Sequence, residues 1–123
     1  MLRCNLHDTL VIRLRNEIRG RKVGMHVALD GHDVRSDGSA VGKNPPSLAA
    51  YRDTYTYRWN CTHEGVFHIG DAGNLGATEN DTNLHGLFGA LVVEPYGSRW
   101  TDPFTGKPIR DGLQADIHPP KKR

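Results

Sequence analysis

Imidazoles and thiols are the side chains of this 123-residue chain best able to do chemistry: His7, His26, His32, His63, His68, His85 and His118, with Cys4 and Cys61. Imidazole binds transition metals and moves protons near neutral pH, and a thiolate binds soft metals or acts as a nucleophile. Cys61-Thr62-His63 brings a thiol and an imidazole close in sequence, but no neighbour offers to orient them for nucleophilic catalysis. The chain has no Gly-x-Ser-x-Gly element and no phosphate-cradling glycine loop. Asp102, Asp111 and Asp116 are scattered, without the pairing that acid and base catalysis needs. Asp71, Asn74, Glu79, Asn80, Asp81 and Asn83 offer the hard oxygen atoms that calcium takes, yet their spacing departs from the EF-hand template, so a solvated loop is expected. His32, beside Asp30-Gly31 and Asp33, reads as a turn residue, and His7 and His118 read as solvent-facing. Cys4 and Cys61 could bond only if the fold brings them together; two separate thiols are the expectation.

The elements that must position these residues are strands. In residues 9–15, Leu10, Ile12 and Leu14 alternate with Thr9, Val11, Arg13 and Arg15, the period of a half-buried strand. Tyr55, Tyr57 and Trp59 alternate with Thr54, Thr56 and Arg58 in the same way. Residues 23–29 form a second strand closed by the turn pair Asp30-Gly31, and residues 66–69 a short one. Residues 89–94 are continuously apolar and stopped by Pro95, and residues 114–117 could add a last short strand. Residues 36–53, with Pro45-Pro46, are a long connection, and residues 70–83 an exposed loop. Only residues 16–22 and 78–84 leave room for a single helical turn. The expectation is an all-β chain forming one domain over residues 1–123, a Greek-key β-sandwich.

Composition agrees. A hydrophobic content of 37% with 14 Gly and 7 Pro favours short strands joined by turns. The net charge of +2 is small, and Arg13, Arg15, Arg19, Arg21 and Lys22 fit the solvated side of a strand and its turn. Lys121-Lys122-Arg123 is the one basic run, and no basic face with stacking aromatics suggests nucleic-acid binding. No apolar stretch approaches the roughly 20 residues of a membrane-spanning helix, and the N-terminal residues lack the charged-then-apolar pattern of a secretion signal.

An ordered set of segments resembles a domain of large bacterial multicopper oxidases from Asn5 to about Ile117. Asn5-Leu6-His7-Asp8-Thr9-Leu10-Val11-Ile12-Arg13-Leu14-Arg15-Asn16 is similar to an early strand of such a domain. Gly24-Met25-His26-Val27-Ala28-Leu29-Asp30-Gly31, Ser36-Asp37-Gly38, Tyr55-Thr56-Tyr57-Arg58-Trp59 and Glu64-Gly65-Val66-Phe67 follow in the same order. The turn and strand Leu84-His85-Gly86-Leu87-Phe88-Gly89-Ala90-Leu91-Val92-Val93-Glu94-Pro95, then Gly97-Ser98-Arg99-Trp100-Thr101-Asp102-Pro103, complete it. The resemblance implies a cupredoxin-like sandwich that starts late and stops early, lacking an N-terminal strand and a C-terminal extension. It also implies copper as cofactor and a secreted or periplasmic location. A sandwich short of edge strands exposes unpaired backbone groups, so homo-oligomerisation or association with other cupredoxin domains is expected, with no nucleic acid and no membrane as partner.

The family's copper ligands are only partly represented. Its electron-transfer centre needs a Cys in the loop between the last two strands, and residues 70–85 contain none, so no blue-copper centre is expected. Its oxygen-reducing cluster uses paired His-x-His motifs; the first pair falls on His26 and Ala28, the second on Gly70 and Ala72, with His68 two residues early. His26 keeps the family position, with His68 and His85 next by strand order. If the sheets gather them, His26, His68 and His85 could hold one copper with an open position. The same His26 and His68 alternate with apolar neighbours, as core histidines bonded to backbone also would. Two functions are thus expected: a copper-binding domain or subunit of a multicopper oxidase-type oxidoreductase, or a metal-free structural module of such an assembly.

Overall fold

The computed structural model describes residues 1–73 and 81–122. The clearest alternations become the longest pairing: β2 (Thr9–Arg15) runs antiparallel to β4 (Thr54–Asn60), with Leu10 opposite Trp59, Ile12 opposite Tyr57 and Leu14 opposite Tyr55. A second sheet has the order β1-β6-β5-β3. In it β5 (Gly65–Asp71) pairs antiparallel with both β3 (Met25–Val27) and β6 (Phe88–Glu94), while β1 (Leu2–Asn5) runs parallel to β6 at the edge. A small ladder of β7 (Arg99–Thr101) and β8 (Asp116–His118) stands apart.

The core lies between the two larger sheets. Trp59 and Tyr57 from β4 are fully buried against Val27, Leu29, Ile69, Leu91 and Val93, with Cys4 and Cys61 in the same cluster. Rings of this size each remove about 150–250 Å² from water, a gross stabilisation of about 4–6 kcal/mol apiece. Their polar atoms are satisfied by the long connection that follows β3: Trp59 Nε1 donates to Ser36 O at 3.0 Å and Tyr57 Oη to Ser47 O at 2.6 Å. That connection is therefore fastened to the core although it has almost no regular structure. Ser47 Oγ accepts from the amides of Gly38 and Ser39 at 2.8 and 3.0 Å, and a short 3-10 turn at Val34–Ser36 is capped by Asp33, whose Oδ1 accepts from Arg35 N.

Two glycines let this connection lie directly on β3. A Cβ on Gly24 would stand 1.9 Å from the Gly38 carbonyl oxygen, and one on Gly38, whose φ is +77°, would stand 2.2 Å from the Met25 carbonyl oxygen. Only residues without a Cβ allow that approach.

Several expectations change. The strand expected over residues 23–29 is a strand only over Met25–Val27, because Val23 bridges instead to Ala49 of the long connection. A four-residue strand, β1, precedes the Asn5 turn where none was expected, and a three-residue strand, β7, follows the turn after β6. Residues 16–22 form no helix; Asn16 instead closes the end of β2, its buried side chain donating to Arg21 O and Ala49 O at 2.7 and 2.9 Å. Of residues 78–84, the first three lie outside the described residues and the rest are turn.

Candidate metal site

Residues facing one another across a ladder share a face, so strand register decides which side chains can meet. His26 stands opposite Gly70, which stands opposite Phe88; His68 stands opposite Ala90. Together with Ala28, Val66 and Val92, these residues make the outer face of the second sheet, on the side away from Trp59 and Tyr57. The face is apolar for an exposed surface: Val66 is 72% and Phe88 63% exposed.

His26 is held there in a defined state. Its side chain is 43% exposed and its Nδ1 lies 2.7 Å from the backbone oxygen of Asp37. A carbonyl oxygen only accepts, so Nδ1 carries a hydrogen, and in the neutral ring the lone pair is on Nε2. Metal-binding imidazoles are commonly fixed by such a bond through the other ring nitrogen. The Asp37 carboxylate lies 3.4 Å from the same Nδ1 and 3.5 Å from His32 Nε2, and the two rings meet edge to face at 6.4 Å. The Ser39 hydroxyl, then the two imidazoles, hold the Asp37 carboxyl below its usual range against the opposing effect of burial. Sequence reasoning missed Asp37 and took His32 for a turn residue. The only signal was the Asp37-Gly38 pair, which marks a turn without saying what the turn touches.

His68 shares the outer face with His26, and its ring covers Gly70. A Cβ on residue 70 would stand 2.9 Å from His68 Cε1 and 2.9 Å from Asn83 Oδ1. The place where the second histidine pair would begin is thus filled by an imidazole from two residues earlier and by a carboxamide. His85 lies in the exposed turn before β6. Among the described residues, no three His, Cys, Asp or Glu side chains gather as a metal-binding group.

The described oxygen atoms of the acidic loop are committed elsewhere. Asp71, buried, accepts from Gly24 N and Gly73 N at 2.8 Å each and from the Thr82 hydroxyl at 2.5 Å. Asn83 bonds the Asp71 amide and carbonyl, both at 2.9 Å, and Asp81 Oδ1 accepts from the Asn83 amide at 2.9 Å. These oxygens brace the start and end of the loop against β3 and β5. Asn74, Glu79 and Asn80 lie outside the described residues.

Cys61 and His63 do not act as a pair. His63 is exposed, its Nδ1 3.0 Å from Thr62 Oγ1, whereas Cys61 is buried and its thiol meets that of Cys4. Both are free thiols, brought side by side because β1 carries Cys4 to the place where the chain leaves β4. Burial raises both thiols above their usual range, Cys4 far above it, and each lies near the other and near Asp8. His118, expected in solvent, is half-buried in β8 with Nε2 2.8 Å from Thr101 Oγ1. His7 is exposed at φ 75° and packs against the Tyr96 ring at 5.8 Å.

Solved structures share this architecture. Lac15 from a marine microbial metagenome aligns over 94% of this chain and 32% of its own, with TM-score 0.60 and 20% identity. A multicopper oxidase from Pseudomonas thermotolerans aligns over 76% of this chain and 21% of its own, with TM-score 0.58 and 22% identity. Copper nitrite reductase from Nitrosomonas europaea aligns over 78% of this chain and 30% of its own, with TM-score 0.57 and 17% identity. The chain therefore spans about a third or less of the proteins it resembles. No protein-family profile and no curated protein matches it. The fold is the cupredoxin-like sandwich found as a domain of multicopper oxidases.

Proposed function

We propose that this chain is a copper-binding domain of a multicopper oxidase-type oxidoreductase, and that His26 supplies an imidazole through Nε2 to a copper ion completed by ligands from outside this domain. The observation that carries the reading is the 2.7 Å contact of His26 Nδ1 with Asp37 O, which fixes the tautomer and leaves Nε2 as the donor on a half-exposed face. His68, on the same face, is the second candidate, and His85, in the turn leading into β6, the third. Copper would supply one-electron exchange between a reducing substrate and an acceptor such as oxygen. This chain's part is to orient the His26 imidazole, through its Nδ1 contact with Asp37 O, so that Nε2 faces outward.

Ala28 and Gly70, where paired histidines would be needed, oppose a complete cluster within the domain, so the isolated chain is expected not to reduce oxygen. The outer face, with Val66 and Phe88 uncovered, supports docking of another cupredoxin domain or a second copy there. A secreted or periplasmic location is proposed from the kinship of the fold. Among the described residues, no helix is long and apolar enough to cross a membrane.

A second reading, a metal-free structural module, is favoured by the filling of the Gly70 site by His68 and Asn83. Copper titration followed by electron paramagnetic resonance separates the two. A stoichiometric copper signal that is lost in His26→Ala and weakened in His68→Ala supports the copper reading. No bound copper, or a signal unchanged by His26→Ala, supports the module.

A further inference from the structure

We propose that Cys4 and Cys61 are a disulfide site that staples the two main sheets to each other when the protein folds in an oxidising medium. They are the chain's only cysteines, they come from opposite sheets, and they meet inside the core, 2% and 1% exposed. Cys4 stands in β1, in register with Val93 of β6. Cys61 follows directly on β4 of the other sheet. The backbone around them is fixed on both sides: Cys61 N donates to Asp8 O and His7 N to Cys61 O, each at 2.8 Å. This anchors Cys61 beside the turn by which the chain leaves β1, while Leu6 N donates to Glu94 O at 2.8 Å and anchors that turn to β6.

Two apolar residues would fill such a place equally well, and single buried cysteines are ordinary core residues. In the structure both are free thiols, and a pair from distant parts of the sequence whose thiols meet at the closure of a sandwich has the proximity that cross-linking needs. In the reaction, the two S–H bonds break and one S–S bond forms; two electrons and two protons pass to a small-molecule disulfide such as oxidised glutathione, which becomes two thiols. Burial disfavours both thiolates in the folded protein, so the exchange belongs to the folding chain or to openings of edge strand β1.

The test refolds the full chain from denaturant in a glutathione redox buffer and maps its peptides without reduction. The expected result is a Cys4–Cys61 linked peptide pair, lighter by two hydrogens than the reduced peptides, in a monomer with no titratable thiol. The melting temperature should rise on the order of 10 °C over the reduced protein, because the bond closes a long loop of the unfolded chain. Cys4→Ser should leave Cys61 free or as a mixed disulfide with glutathione, and Cys4→Ser/Cys61→Ser, unable to cross-link, should melt alike in oxidising and reducing buffer. Two free thiols after refolding, cross-links only between chains, or a bridge that lowers the melting temperature would overturn the proposal.

Discussion

The imidazole of His68 lies over the α-carbon of Gly70, with Cε1 2.9 Å from the point where a Cβ on residue 70 would stand. One strand therefore carries a histidine that occupies the space above its own glycine, and the two positions are energetically coupled. The absence of a side chain at residue 70 and the orientation of the ring at residue 68 are one structural fact.

Gly70→Ala should destabilise the domain by about 1 kcal/mol, since the ring and the Asn83 carboxamide must both give way in a strand where alanine would otherwise be preferred. His68→Ala should relieve part of that cost, so the double variant should be less destabilised than the sum of the single ones. Urea unfolding of the four proteins measures the coupling. Strict additivity would mean that the ring does not guard the site.

Asp71→Ala should cost about 3 kcal/mol, because it leaves the amides of Gly24 and Gly73 and the Thr82 hydroxyl without their shared acceptor. Asp71→Asn, which keeps one oxygen acceptor, should cost less. Thermal unfolding compares the two. Equal costs would show that one amide oxygen of the same size cannot stand in for the carboxylate.

Alkaline pH should loosen the reduced protein. Burial raises the Tyr57 hydroxyl from 10.0 to about 12 and raises both thiols above 9.0. Each group has a folded pKa above its unfolded one, so its stabilisation is complete below the unfolded value and is lost as pH rises through the folded value. Urea midpoints should thus begin to fall near pH 9 from the thiols and steepen above pH 10 from Tyr57. Tyr57→Phe should remove the second limb, at a cost of about 1–3 kcal/mol near neutrality because Ser47 O loses its donor. Cysteine-to-serine variants should remove the first. A midpoint that is flat from pH 8 to 11 would contradict the assignment.

Alternation made β2 and β4 legible in the sequence because each is seven residues long, enough for a period of two to register against a buried face. β1 and β7 have four and three residues, too few for a pattern, whereas the equally short β8 overlaps the strand expected at residues 114–117. β3 is shorter than its apolar run because Val23 is taken by Ala49, a tertiary preference that no local propensity expresses. At the candidate site, alternation set His26 and His68 apart from their apolar neighbours, but their common outer face follows from the register of β3 on β5, which strand counting does not give. The Asp37 carbonyl could not, since it reaches His26 from a loop whose path is set by Ser47 and by glycine contacts. The meeting of Cys4 with Cys61 was hidden for the same reason: it depends on how one sheet closes over the other.

The contact between Gly24 and Gly38 has a consequence beyond packing. By pressing the long connection onto β3, it sets the height at which the neighbouring Asp37 carbonyl reaches across to His26. Two residues with no side chain thereby choose which nitrogen of a third carries its proton. A methyl group at either glycine would push the loop outward and return that choice to the solvent.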